Sequence, residues 1–173
     1  MMKLTRRHPF LVALSLACPA ALAVAASGCT VARPFSRPGP GPAAAIPEGG
    51  RSTVTVVLTH AALEGSKRGP FDEYTRRVVD ALESGTVAGL VGFSVRREIF
   101  GDQVWTMSVW ADREASRTFA ASSPHREAME RASDAIRSLR VVSFEVPPSA
   151  VPPSWEDALR RLDRPEAEVG GAT

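Results

Sequence analysis

Val104-Trp105-Thr106-Met107-Ser108-Val109-Trp110 is the stretch of this 173-residue sequence on which the fold turns. It is rich in β-branched and aromatic residues and carries apolar side chains on both alternations, so it reads as a strand that needs cover on both faces. Just upstream, Val91-Gly92-Phe93-Ser94-Val95 is a second strand. The turn residues Gly101-Asp102 between the two make a hairpin. Further upstream, Thr53-Val54-Thr55-Val56-Val57-Leu58-Thr59 alternates as a third strand, with Val54, Val56 and Leu58 on one face and His60 extending it. Between that strand and the hairpin, residues 71 to 84 place Phe71, Tyr74, Val78, Ala81 and Leu82 at helical spacing, and Gly85 is a helix stop. Beyond the hairpin a helical stretch falls into two pieces, 113 to 121 and 124 to 139. Ser123 serves as N-cap and Pro124 as the first helical residue of the second piece. Residues 141 to 146 form the last strand, closed by Pro147-Pro148.

The order is β-α-β-β-α-β. It predicts an α+β, ferredoxin-like domain over residues 53–147: a four-stranded antiparallel sheet with helices on one face and the second helix broken in two. The other sheet face is then bare, and homodimerisation through it would supply the missing cover. Residues 148–173 are a C-terminal extension with a short helix over 154–162.

The 44% hydrophobic content is too high for a disordered chain. Charge is nearly balanced, with 21 Lys+Arg against 19 Asp+Glu, so no basic surface for nucleic acid is indicated. Lys3, Arg6 and Arg7 precede an Ala/Leu/Val run from Phe10 to Ala26, and residues 1–28 read as a secretory signal peptide. That run is Ala-rich and interrupted by Pro19, and so is poorly suited to span a bilayer. It ends in Ala26-Ser27-Gly28-Cys29, which resembles a bacterial lipoprotein box, although Ala stands at its first position where Leu is usual. The resemblance implies lipid attachment at Cys29 and a chain exported and anchored to the extracytoplasmic side of a bacterial membrane. Ordinary cleavage after Ala25, leaving a free thiol, is the other reading. Cys18 lies within the leader, so the mature chain would carry one Cys and no internal disulfide. Residues 29–52 are read as the lipidated Cys followed by a Pro/Gly-rich tether that holds the domain off the membrane.

Gly89-Leu90-Val91-Gly92-Phe93-Ser94, Trp105 to Asp112, and Ala115, Phe119, Ser122 and His125 to Met129 resemble the antibiotic-biosynthesis-monooxygenase-like branch of the dimeric α/β-barrel superfamily. The resemblance spans roughly Thr53 to Val146, and the tail around Trp155 to Leu162 is similar to bacterial members that carry a short helix after the last strand. It implies a homodimer, a small aromatic ligand and cofactor-independent oxidation, or else a non-catalytic ligand-binding or interaction module that keeps the fold.

Trp110 matches the strand-end Trp that lines the pocket in oxygenase members; a core aromatic is the equal alternative. His125, Met129, Ala132, Ile136 and Leu139 step by four, three, four and three, which sets His125 on the core-facing stripe near a helix N-terminus. That position favours a neutral imidazole and suits a base; a capping or core histidine is the plainer reading. His60, Thr106, Ser108 and Met129 are expected to line the same pocket. If Arg96 turns inward beside His60, an acidic or phenolic ligand would be matched. In haem-degrading relatives a proximal His lies where Met129 stands here, and the chain has no Asn to orient substrate or oxygen. No zinc-binding spacing occurs, and neither a metal nor a cofactor is expected.

Overall fold

A computed structural model describes residues 29–38 and 53–164 of the chain. Nine elements build it: β1 (Thr30–Ala32), β2 (Val54–Leu63), α1 (Arg68–Glu83), β3 (Leu90–Glu98), β4 (Gln103–Trp110), α2 (Arg113–Ala121), α3 (Ser123–Ala132), β5 (Ile136–Val146) and α4 (Trp155–Leu162). The signal peptide expected over 1–28 and the 39–52 stretch lie outside the described residues, as do residues 165–173.

The expected plan is present. β2, β3, β4 and β5 form an antiparallel sheet in the order β3-β4-β2-β5, with β4 and β2 at its centre and β3 and β5 at its two edges. This is the ferredoxin-like arrangement, and the second helix is broken at Ser122, whose extended backbone (φ −70°, ψ 154°) ends α2 and serves as the N-cap of α3. The cap is therefore Ser122, one residue before the one expected, and Pro124 follows inside the first turn. Gly85, at φ 76°, takes the left-handed conformation that ends α1.

Three features differ from expectation. First, α3 is shorter than the 124–139 reading: it stops at Ala132, and Ile136 already belongs to β5. The end of β2, from Thr59 to Leu63, would otherwise present unpaired backbone along that edge; β5 meets it residue for residue out to Ser138 and, past a one-residue register shift, again at Ile136.

Second, the sheet has five strands, not four. β1 lies in the stretch read as a tether and pairs with β3, Thr30 opposite Glu98 and Ala32 opposite Arg96. Ser36 then makes a two-way backbone bridge to Phe93, its N–H donating at 2.8 Å and its carbonyl accepting at 2.9 Å. Phe35 closes over Gly92, where a side-chain carbon would overlap the Phe35 ring and the Ser36 carbonyl. Gly92→Val is expected to expel this segment from the sheet and to destabilise the domain by about 1–3 kcal/mol. Hydrogen exchange at Ser36 and Phe93 reads the change, and unaltered protection there would show that the contact with Gly92 is dispensable.

Third, the sheet face away from α1–α3 is not bare. Val54, Val56, Leu58, Val91, Met107, Val109 and Val146 form a buried layer there, and Ala158 and Leu162 of α4 complete it, with Phe35 and Trp155 packed alongside. α4 is held at both ends. The Ser154 hydroxyl accepts from the Asp157 N–H at 3.0 Å as an N-cap, and the Arg140 guanidinium donates to the Leu162 carbonyl at 2.6 Å. Trp155 Nε1 donates to Ser94 Oγ at 3.2 Å, and the Arg161 guanidinium lies 4.3 Å from the centre of the Phe144 ring. The cover expected from a second subunit is thus supplied by the chain itself. A homodimer through this face would have to accommodate α4.

On the other side, Arg137 ties β5 to the hairpin turn: its guanidinium donates to the Asp102 carboxylate at 2.8 Å and holds that carboxyl below its ordinary range.

Candidate functional site

Between the helices and the sheet lies a cavity of about 360 Å³, within the size range of small-molecule sites. Strand alternation decides its floor. β4 turns Thr106, Ser108 and Trp110 toward it, and β2 turns Val57, Thr59 and Ala61. The roof is Tyr74 and Val78 of α1, Phe119 of α2, and His125 and Met129 of α3. Aliphatic and aromatic groups dominate, and the polar ones are few.

Trp110 is almost fully buried at the end of β4, and its Nε1 donates to Ser108 Oγ at 2.9 Å. Its ring lies 5.2 Å from Phe119, and Phe119 lies 5.3 Å from His125, so one aromatic wall runs from the sheet to the first turn of α3. Gly89, at φ 75°, lets α2 approach: a side-chain carbon there would overlap Ala115. The Asp112 carboxylate accepts from the Ala115 N–H at 2.7 Å and fixes the start of the same helix.

The break at Ser122 folds α3 back so that His125 Nδ1 lies 3.1 Å from the Ala120 carbonyl. A carbonyl can only accept, so Nδ1 carries the hydrogen and Nε2 keeps its lone pair in the neutral ring. The histidine therefore caps one of the free carbonyls at the end of α2 and in doing so sets its own tautomer. Both readings of His125, cap and candidate base, are compatible with this one geometry.

The structure places the expected site residues as follows. His125, Trp110, Thr106, Ser108 and Met129 line the one cavity. His60 does not. It points to the opposite sheet face, stacked on Trp105 at 5.0 Å with the rings 6° from parallel, and its Nε2 lies 2.6 Å from Gln103 Oε1. Its parity with Val56 and Leu58, which pack under α4, required this. Arg96 is on that face too, 5.8 Å from the Trp105 ring and donating to Thr30 Oγ1 at 2.8 Å, so neither it nor His60 serves the cavity. Cys29 is exposed at the sheet edge and does not line the cavity. Among the described residues no group of three or more His, Cys, Asp or Glu is placed to hold a metal ion, and no helix is long and apolar enough to cross a membrane.

Sequence reasoning missed the α1 wall, Tyr74 and Val78, and the rim guanidiniums Arg113 and Arg117 of α2. An apolar helical stripe marks a core and a pocket wall alike, so periodicity had no means of separating them. Ile136 and Leu139, expected on the His125 helix stripe, do line the cavity, but from β5. A register shift at Ala62/Leu63 leaves an extra β5 residue between the pairs Leu63–Ile136 and Ala62–Ser138, which lets Ile136 and Leu139 share a face.

Comparison with known proteins agrees with the fold. Among solved structures, the chain is similar to a provisionally named monooxygenase from Lactobacillus acidophilus NCFM (TM-score 0.50, 12% identity, 55% of this chain and 46% of that one). It is also similar to an antibiotic biosynthesis monooxygenase (TM-score 0.50, 12% identity, 54% and 99%). A third is a provisionally named antibiotic biosynthesis monooxygenase from Caulobacter crescentus CB15 (TM-score 0.50, 8% identity, 55% and 91%). The chain thus spans about half the length of the Lactobacillus protein and nearly all of the second. At these identities the likeness is one of fold. No curated protein matches. A family model described as a domain of unknown function, DUF3291, matches residues 59–172, a span that begins inside β2 and takes in α4. The chain therefore belongs to the DUF3291 family and carries the α+β, ferredoxin-like fold of the antibiotic biosynthesis monooxygenases.

Proposed function

We propose that the cavity binds a small phenolic aromatic molecule and that the protein oxidises it without a cofactor, His125 acting as the base. The observation that carries this reading is the His125 tautomer: the Nδ1 contact with Ala120 leaves a lone pair on Nε2 in a ring that lines an otherwise apolar cavity. A phenol donating to Nε2 would lose its proton there and become an electron-rich phenolate, the form that reacts with dioxygen. One oxygen atom enters the ring as a second carbonyl and the other leaves as water, so phenol and dioxygen give quinone and water. Apolar walls exclude bulk water and strengthen the hydrogen bond that starts the step.

Non-catalytic capture of the same ligand is the second reading. It is favoured by the position of Gln103, the sole amide side chain, which is engaged with His60 on the far side of the sheet and leaves no amide in the cavity to orient oxygen.

Calorimetric titration with hydroxylated benzenes and naphthalenes, run beside an oxygen electrode, tests both. Saturable one-site binding with dioxygen consumed one-to-one supports oxidation; binding without uptake supports capture. Ala128→Phe, which fills the cavity from α3, is expected to lower affinity at least tenfold. Absence of binding by any member of the series, or binding that survives the filled cavity, would reject the assignment.

We further propose that the chain is exported and lipid-anchored through Cys29, on the strength of the basic leader, the apolar run and the Ala26-Ser27-Gly28-Cys29 box.

A further inference from the structure

The lipid anchor, if it is Cys29, is not followed by a free tether. β1 begins at the next residue, and the Ile99 N–H donates to the Cys29 carbonyl at 2.8 Å. The attachment point therefore sits against the turn of the β3–β4 hairpin, and the Pro/Gly-rich 39–52 stretch connects two strands of one sheet instead of separating domain from membrane. Phe100, at the tip of that turn, is 93% exposed, and Ile99 is 46% exposed. Val31, which pairs with Arg97 two residues before Ile99, is 49% exposed. Of the five large apolar side chains exposed among the described residues, these three adjoin Cys29; the other two, Leu139 and Val141, are on β5.

We infer that this corner is a bilayer-contacting surface: Phe100, Ile99 and Val31 enter the membrane interface beside the acyl chains on Cys29 and hold the domain flush on the surface in one orientation. The inference rests on the lipid-anchor reading above. The two acyl chains of a diacylglyceryl group supply the anchoring affinity and leave the orientation of the domain free, and an aromatic on a rigid turn is suited to the interfacial layer and fixes that orientation. Two ion pairs lie near the corner, Arg137 with Asp102 and Arg97 with Asp72, and the other charged groups are hydrogen-bonded within the fold: Arg68 to the carbonyls of Gly101 and Glu98, Arg96 to Thr30, and the Glu98 carboxylate to the Gln103 N–H. The contact is accordingly apolar, with neutral phosphatidylcholine surfaces as its occupant and little dependence on salt. β4 runs away from this turn, and its eight residues place Trp110 and the His125 end of the cavity about 23 Å further along the strand from Gln103.

The experiment uses the full chain made in a bacterial host and reconstituted in phosphatidylcholine vesicles, with an environment-sensitive fluorophore on Phe100→Cys or, as a control on α3, Glu127→Cys. Intact mass reports whether Cys29 carries a diacylglyceryl group. The expected result is lipidated Cys29, with emission at position 100 shifted to the blue and quenched by nitroxide lipids, unchanged in high salt, and emission at position 127 like that in water. Lipidated protein with a water-like, unquenched probe at position 100 overturns the flush orientation and leaves the anchor intact. An unmodified Cys29 overturns both.

Discussion

Removal of residues 148–173 is expected to convert the protein into one that associates through its sheet. The deletion strips Ala158 and Leu162, both fully buried, and the partly buried Trp155 and Leu159 from the layer formed by Val54, Val56, Leu58, Met107 and Val109. Burial of one large apolar side chain stabilises by about 1.5–3 kcal/mol, so losing α4 forfeits several kcal/mol of a total that for a domain of this kind is about 5–15 kcal/mol. The bared layer is apolar, the kind of surface that a second copy buries. Sedimentation equilibrium on the full and truncated chains would read the change as an increase in mass at equal concentration, together with a lower melting temperature. A truncated chain with the mass and melting temperature of the full chain would show that α4 is a passenger. The point variant Leu162→Ala separates stability from association: it is expected to cost about 2–5 kcal/mol while leaving the helix in place and the mass unchanged.

His125→Ala is expected to lower the turnover of phenolic substrates by about 10²–10⁴-fold, the usual worth of a positioned general base. Binding of the same phenol should weaken only by the loss of one hydrogen bond, about tenfold or less. The split between kcat and Kd is the informative quantity, because a purely capping role would leave kcat per bound ligand unchanged. His125 is only partly buried and contributes one bond to the Ala120 carbonyl, so the melting temperature should move little. His125→Gln, which can keep a donor toward Ala120 and has no basic nitrogen, should fold like the original chain and remain as slow as the Ala variant. Turnover retained in both would remove His125 from the chemistry and leave it as the cap of α2.

Much of this was legible in the chain itself. Alternation in residues 104–110 and 53–59, the helical stripe from Phe71 to Leu82 and the Gly101-Asp102 turn led to the β-α-β-β-α-β order, because each is a local pattern read within one element. Trp110, Thr106 and Ser108 followed from the same alternation, since residues two apart in a strand must share a face. His60 failed by that same rule: it shares parity with Leu58, whose face belongs to α4.

Other features depended on contacts between segments distant in sequence. β1 is three residues of no evident strand pattern amid prolines and glycines, and it becomes a strand only because β3 offers it an unpaired edge at residues 96–98. Ile136 to Arg140 has apolar spacing that suits helix or strand, and pairing with β2 made it strand. α4 was visible as a helix, with Ser154 before Trp155, yet its place on the sheet depended on Ser94, Arg140 and Phe144, between 17 and 61 residues from their partners in the helix. The sequence alone determined the other helices and strands, since those depend on side chains a few residues apart. Which face each one covers, what closes the sheet and which nitrogen of His125 is left with a lone pair were decided by tertiary structure, because each depends on partners that the chain brings together only by folding.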